Sequence, residues 1–324
     1  MKIANQLNLP GQLLGKISAW ADRALLLIGV VAISFGSIFI KWSENGLSPN
    51  ATVFNRFWLA AIAFGLWQSG KVIVERIGDK PLQQQPYTPQ DLWLLLGSGI
   101  FFAATLVLIA WSLTQTSVAI STVLHNLVPI FTSLGAWVVF GQRFNRQFLI
   151  GMVIALGGMI VIELGELAIA TSNILGTWAA ILSAISAAGY LLCVEQLRTK
   201  FTPITIQLWI CGSAALVMLP MLLFSGDRLF PSTLGGWLAV LALAFVCQIL
   251  GQGLLIYSLD KFSSVVVSLV HLLEPVFSSI FALAIFWERL SFSNWIGFAV
   301  VLVGLYLAVS SQVAVPPQNS LEKG

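Results

Sequence analysis

The sequence predicts an all-α integral membrane protein of ten transmembrane helices, arranged as two five-helix inverted repeats, and three observations point there. Of 324 residues, 58% are hydrophobic and 9% charged, a balance that cannot cover a water-facing surface of this size. The apolar residues fall into ten runs, each close to the roughly 20 residues a helix needs to cross the hydrocarbon core. The second half of the chain also repeats residues of the first at a fixed offset. Lipid offers no partner to an unpaired backbone group, so runs of this length and apolarity read as helices.

Residues 1–23 form a cytoplasmic N-terminal segment carrying Lys2, Lys16 and Arg23. A secretory signal opens in the same way, but the apolar run behind it is of spanning length and has no small-residue cleavage site. Residues 24–42 are therefore the first span. Charges, prolines and polar clusters set the later breaks. Pro49 and Asn50 precede the span at 51–70, and a loop at 71–91 with Pro81, Pro86, Pro89, Gln83, Gln84 and Gln85 precedes 92–113. That loop reads as a flexible cytoplasmic link with no catalytic cluster. Arg143 and Arg146 part the spans at 117–140 and 148–169, and Asn173 precedes 174–194. Pro203 opens 203–225, Asp227 and Arg228 follow it, and spans at 234–258, 262–287 and 294–311 leave 312–324 as a cytoplasmic tail. The first repeat covers residues 24–169 and the second 174–311.

Orientation follows from the basic residues on alternate sides of these spans. Lys2, Lys16, Arg23, Lys71, Arg76, Lys80, Arg143, Arg146, Arg198, Lys200, Lys261 and Lys323 share one side, against Lys41, Arg56, Arg228 and Arg289 on the other. Twelve against four places both termini in the cytoplasm, with the chain in the plasma (inner) membrane. A formal charge of +3, scattered between apolar runs, excludes a nucleic-acid partner. Cys193, Cys211 and Cys247 lie inside apolar segments without metal-ligand spacing and read as small hydrophobes. No metal or other cofactor is expected.

Shifting the sequence by 146 residues aligns 117–162 with 263–308 without a gap, and thirteen of the forty-six pairs are identical. They include His125/His271, Pro129/Pro275, Arg143/Arg289, Gly151/Gly297 and Gly158/Gly304. Shared lipid-facing composition does not bring His, Pro and Arg into register together. Five spans per copy is an odd number, so the copies run through the membrane in opposite directions, the arrangement that in transporters puts the substrate site between the halves.

The stretches from Ala110-Trp111-Ser112-Leu113 through Pro129 and from Ile256-Tyr257-Ser258-Leu259 through Pro275, followed by Gly141-Gln142-Arg143-Phe144 and Trp287-Glu288-Arg289-Leu290, resemble the EamA repeat. On this resemblance the chain is identified as a ten-helix member of the drug/metabolite transporter superfamily. Arg56, in Asn55-Arg56-Phe57-Trp58, falls where that family places an Arg early in its second helix. The family's usual Gly-Glu is Gly141-Gln142 in one copy and Trp287-Glu288 in the other. The resemblance implies carriage of a small metabolite, often outward, and names no substrate.

Polar residues inside the spans are the candidates for the site. The ninth span carries Ser264, Ser268, His271, Glu274, Pro275 and Ser278 at helical spacing, which sets them on one face. The fourth repeats the stripe as Thr122, His125, Pro129 and Thr132, with Val128 at the place of Glu274. A carboxylate required by the fold would recur in both copies, so Glu274 is assigned to the site, with a structural hydrogen-bonding role as the alternative. Burying its charge at a helix centre costs about 2.5–3.5 kcal/mol, and holding an ordinary glutamic acid protonated at pH 7 costs about 3.7 kcal/mol. The near balance suits a group that changes protonation during transport. His271 and His125 are read either as its neighbours in that exchange or as packed hydrogen-bond donors.

Pro129 and Pro275 remove a backbone donor near mid-span and open a kink or a cavity wall. Arg56 is expected to snorkel outward near the outer mouth, with an anion-attracting gate as the alternative. Gln248 and Gln252 share a face of the eighth span, and Tyr190, with Glu195 at the inner end of the sixth, is a further candidate for the pathway wall. Gly151 and Ala155 read as a helix-packing contact.

These readings give a carrier that moves a small-molecule substrate by alternating access, outward and with proton coupling. A passive channel or facilitator is the alternative. A membrane-embedded enzyme is the third class: His271 and Glu274 would be half a metal site, but no third ligand lies nearby in the sequence. The other partners are the lipid bilayer and protons, with a monomer or a homodimer as the assembly.

Overall fold

The computed structural model describes residues 11–43, 47–77, 87–164, 173–287 and 290–311, and these contain helices and connecting turns without a strand. The first span is α1 (Gly11–Ser34) with α2 (Gly36–Ser43), and the second is α3 (Pro49–Ile77). Helix α3 runs on through Lys71, so the start of the segment read as a loop from 71 is helical; its centre at 78–86 lies outside the described residues. The third span is α4 (Pro89–Gln115), the fourth α5 (Val118–His125) and α6 (Val128–Phe140), and the fifth α7 (Arg146–Leu164). The sixth is α8 (Ile174–Arg198) and the seventh α9 (Pro203–Ser225). The eighth comprises α10 (Leu234–Ala242), a π-helical stretch (Leu243–Gln252) and α11 (Gly253–Ser258), the ninth α12 (Ser264–His271) and α13 (Leu273–Phe286), and the tenth α14 (Phe292–Ser310). Among the described residues nine spans are long and apolar enough to cross a membrane, and the fifth is a shorter apolar helix. The ends 1–10 and 312–324 lie outside the described residues.

Local chemistry explains where the helices start. Thr88, Ser117, Thr202, Ser263 and Ser291 cap first-turn N–H groups with their hydroxyls, and Asn173 does so with its amide oxygen. Such caps satisfy donors that have no partner inside the helix. Proline breaks spans four and nine at matching places. Pro129 and Pro275 have no N–H for the carbonyls of His125 and His271, four residues earlier. The chain tightens there, with Leu127 N donating to Leu124 O at 3.3 Å and Leu272 N to Leu269 O at 3.1 Å. Beyond each break, Ser133 Oγ donates to Pro129 O at 2.7 Å and Ser279 Oγ to Pro275 O at 2.8 Å. Span four ends on Gly141 (φ 64°) and span nine on Trp287 (φ 58°), both left-handed and 146 residues apart.

The neighbour relations between spans have a regularity of their own. The third span packs on the sixth and seventh, the fourth on the sixth, the eighth on the first and second, the ninth on the first, the second on the seventh and the fifth on the tenth. Exchanging each span with the one five places away turns these pairs into themselves. The fifth and tenth spans meet along four glycines. A Cβ at Gly304 would lie 2.3 Å from Ala155 N, one at Gly151 2.4 Å from Ala308 N, one at Gly158 2.7 Å from Val301 N, and one at Gly297 2.9 Å from Gly158 O. No side chain fits there, so the backbones touch, as the packing reading of Gly151 and Ala155 expects.

Of the other eight spans, seven surround the centre. At one end of the bundle Lys200 pairs with Asp91, and Arg198 with Asp260 at 3.6 Å. At the other, Asn55 Nδ2 donates to Leu229 O at 2.7 Å and Asn173 Nδ2 to Gln115 Oε1 at 3.2 Å. These groupings agree with the alternation of sides read from the sequence.

Candidate functional site

Between spans one, two, three, four, six, eight and nine lies a cavity of about 180 Å³. Its walls include Arg56, His125, Pro129, Tyr190, Gln252, Ser268, His271 and Glu274, together with Phe102, Thr105, Asn126 and Val128. The breaks in spans four and nine thus face the same space, and the two repeat-related positions Val128 and Glu274 both border it.

On the ninth span, His271 Nε2 and Glu274 Oε2 are 2.5 Å apart across the break, with side chains 37% and 34% exposed. That exposure leaves the carboxylate within reach of a cavity solute. On the fourth, His125 Nδ1 lies 2.8 Å from Ser183 Oγ of the sixth span. The Ser183 hydroxyl donates its one hydrogen to Ala180 O at 2.7 Å, so His125 Nδ1 is the donor and Nε2 is left to accept. Tyr190 OH donates to Gln252 Oε1 at 3.3 Å, and its ring is held by Phe102 at 4.7 Å between centroids.

Arg56 corrects the sequence expectation: it does not snorkel outward. Only 8% exposed, it turns into the bundle, where its Nε donates to Gln248 Oε1 at 2.7 Å. Gln248 Nε2 in turn donates to Gln207 Oε1 at 3.1 Å and to Cys211 Sγ at 3.5 Å. Gln207, Gln248 and Cys211 are all fully buried. A charge that reaches a polar partner inside the bundle has no need to stretch to the interface.

Three more expected wall residues sit elsewhere. Gln248 is one step back from the cavity, holding Arg56. Pro275 is not on the wall, although its break turns Glu274 toward it. Glu195 is not on the pathway: its Oε2 accepts from Ser264 N at 2.9 Å and its Oε1 from Gln142 Nε2 at 3.2 Å. Glu195 therefore ties the sixth span to the start of the ninth and to the turn after the fourth.

Asn126 and Gln207 are not among the candidates expected from the sequence. Each is a polar side chain inside an apolar run, which is the signal that would have found them. Asn126 Nδ2 and Gln207 Nε2 are also buried donors without a hydrogen-bond partner among the described residues. Phe102 and Thr105 carried no such signal, because an aromatic or a Thr in a membrane helix most often packs.

Comparison with known proteins agrees with this architecture. One solved crystal structure superposes with a TM-score of 0.72 at 15% identity, covering 89% of this chain and 97% of the other, a likeness of fold. A transporter of Archaeoglobus fulgidus without assigned cargo is 26% identical over 89% of this chain and 97% of its own. A protein of Salmonella typhimurium named as a probable amino-acid metabolite efflux pump is 29% identical over 89% of this chain and 94% of its own. The pseudopaline exporter CntI of Pseudomonas aeruginosa is 25% identical over 68% of this chain and 76% of its own. The profile of the EamA-like transporter family matches twice, over residues 23–164 and 174–310. The chain belongs to the EamA-like transporter family and is a multi-pass membrane transporter of metabolites.

Proposed function

We propose that the protein exports a small metabolite by alternating access between two inverted halves, residues 24–169 and 174–311, with both termini in the cytoplasm of a cell whose plasma (inner) membrane holds it. The cavity bordered by both broken spans carries this reading. Backbone broken at membrane depth is tolerated where it lines protein or a hydrated cavity, and transporters place such breaks at the substrate site. The exchange symmetry of the span neighbours and the double family match support the two halves. The names of the Salmonella and Pseudomonas relatives support the outward direction.

An asymmetry between the halves favours a carrier over a channel. All residues from Ser264 to Val270 of α12 are buried, whereas in α5, 146 residues earlier, only Ala119 and Ser121 are. The Glu195 bridge sits at the buried end. That end is packed shut, and the distribution of Lys and Arg makes it cytoplasmic, which fits a state closed to the cytoplasm. Glu274 takes up the coupled proton with His271 beside it. Arg56, His125, Pro129, Tyr190 and Gln252 form the rest of the substrate wall, with Gln248 and Pro275 placing Arg56 and Glu274. The reading needs no catalytic step, metal or cofactor, and a single copy of the chain contains the whole pathway.

Purified protein reconstituted into liposomes, with amino acids and other small metabolites offered one by one, tests this reading. A carrier accumulates one of them against its gradient when an inward or outward proton gradient is imposed and stops when that gradient is collapsed. Downhill flux alone, indifferent to the proton gradient and without counterflow, makes the protein a facilitator. Chemical conversion of the solute makes it an enzyme.

A further inference from the structure

Span eight differs from its repeat partner in how it is wound. At the offset of 146, positions 243–252 match 97–106 of the third span, where α4 is an unbroken α-helix from Pro89 to Gln115. In span eight the same ten positions are π-helical. A π bond closes over one residue more than an α bond, so the stretch holds a residue in excess of what an α-helix with the same number of turns needs. The repeated fold does not require that residue, since the other half does without it. The arrangement also leaves a cost standing: Gln207 Nε2, in the fully buried side chain whose Oε1 accepts from Gln248, has no acceptor among the described residues, and a buried donor without a partner is destabilising.

What the excess residue does follows from the two glutamines of the stretch. Gln248 stands at the repeat position of Phe102 and Gln252 at that of Leu106. Gln252 is the residue from which α11 starts, and it accepts from Tyr190 OH at 3.3 Å. Gln248 lies one turn earlier, inside the stretch, and accepts from Arg56 Nε at 2.7 Å. An α-helix turns by about 100° per residue, and a π-helix turns by less. Rewinding the stretch as α from the Gln252 end therefore keeps Gln252 on Tyr190 and turns Gln248 away from Arg56. The neighbouring span is built to follow. It is interrupted beside the stretch, α1 ending at Ser34 and α2 starting at Gly36, and Cys247 Sγ donates to Ala32 O at 3.3 Å across that crossing. The pieces α2 and α10, at one end of both interruptions, pack on each other, so they can turn as a unit. We infer that span eight is a register switch for Arg56: wound as π it fixes the guanidinium through Gln248, and wound as α it frees the guanidinium from that contact. As a step of transport the switch rests on the reading above; the winding itself is tested without cargo.

The test compares two single-residue deletions in the purified full chain: Phe245, inside the stretch and 53% exposed, and Ile100, at the matching level of span three and 49% exposed. Deleting Phe245 removes the excess residue and locks the stretch as α, with α10 and α11 each kept in register. Its unfolding midpoint in detergent should equal or exceed the parent's, whereas the Ile100 deletion, in a helix with no residue to spare, should lower the midpoint by several degrees. The released contact is read by a double-mutant cycle. Gln248→Leu should lower the midpoint of the parent and leave that of the Phe245 deletion unchanged, because there the side chain has already left Arg56. Tyr190→Phe should have the same effect in both backgrounds, since Gln252 does not move. In the intact parent, amide exchange over 243–252 should run at least about tenfold faster than over 97–106, a comparison that needs no variant to fold. Two equally damaging deletions overturn the switch, as does a Gln248→Leu loss of the same size with and without Phe245, or equal protection of the two segments. Failure of the liposome test above, with these results obtained, overturns the transport reading and leaves the switch standing.

Discussion

Gly141 and Trp287 end the fourth and ninth spans with nearly the same left-handed backbone, φ 64° and 58°. Glycine adopts that conformation without cost, whereas a side chain there costs about 1–2 kcal/mol. Trp287 is 84% exposed, so packing does not offset the strain, and its indole suits the membrane interface instead. Gly141→Ala should therefore destabilise the protein by about 1–2 kcal/mol, and Trp287→Gly should leave the unfolding midpoint in detergent unchanged or raised. A Gly141→Ala midpoint equal to the parent's would show that this turn relaxes without strain. At this scale the sequence was informative about which residues are polar at membrane depth and silent about the direction they take. His125, His271 and Glu274 were legible because the repeat and the helical spacing put them on one face. Arg56 was not, because its acceptor, Gln248, is 192 residues away, and only the packing of the second span on the eighth brings the two together. Glu195 was misplaced for the same reason, its partner Ser264 N belonging to another span.

Elements show what the seam between the fifth and tenth spans requires. A Cβ at Gly304 would be 2.3 Å from Ala155 N, while one at Gly157 would meet nothing within 4 Å. Gly304→Ala should force the two backbones apart and cost about 1–3 kcal/mol. Gly157→Ala, on the same pair of helices, should stabilise by about 0.5–1 kcal/mol through helix propensity. Thermal unfolding of the two variants side by side separates packing from propensity, and equal midpoints would contradict the close approach. The ten spans were readable as apolar runs, and their starts as Ser, Thr, Asn and Pro. The breaks at 126–127 and 272 were readable from Pro129 and Pro275. The π-helical stretch Leu243–Gln252 was not. Its sequence is that of an ordinary apolar helix, and its neighbourhood includes a tight crossing with the first span, where a Cβ on Gly29 would lie 3.1 Å from Gly251 O.

At the scale of the whole molecule, the proposed cycle requires a fixed topology and a closure at the cytoplasmic end. Single cysteines at Thr199 and Arg228, both exposed and on opposite ends of the bundle, should react with a membrane-impermeant reagent from the inside and the outside respectively. Reaction of both from one side would contradict the topology. Glu195→Ala removes the acceptor that holds Ser264 N at 2.9 Å and Gln142 Nε2 at 3.2 Å. It should raise the reactivity of a cysteine placed at Ser264 toward reagent on the cytoplasmic side, because losing this bridge shifts the population toward the inward-facing state. Unchanged reactivity would place the seal elsewhere.

In the proposed cycle Glu274 couples proton movement to the cargo. The most direct measurement is accumulation and counterflow of the transported metabolite in liposomes containing the parent or Glu274→Gln, a variant that mimics the protonated carboxyl. The account predicts that Glu274→Gln abolishes accumulation driven by a proton gradient, keeps counterflow exchange, and is not rescued by adding Val128→Glu, whose carboxylate lies in the other half. Accumulation by Glu274→Gln against a gradient, with the same pH dependence as the parent, would contradict it.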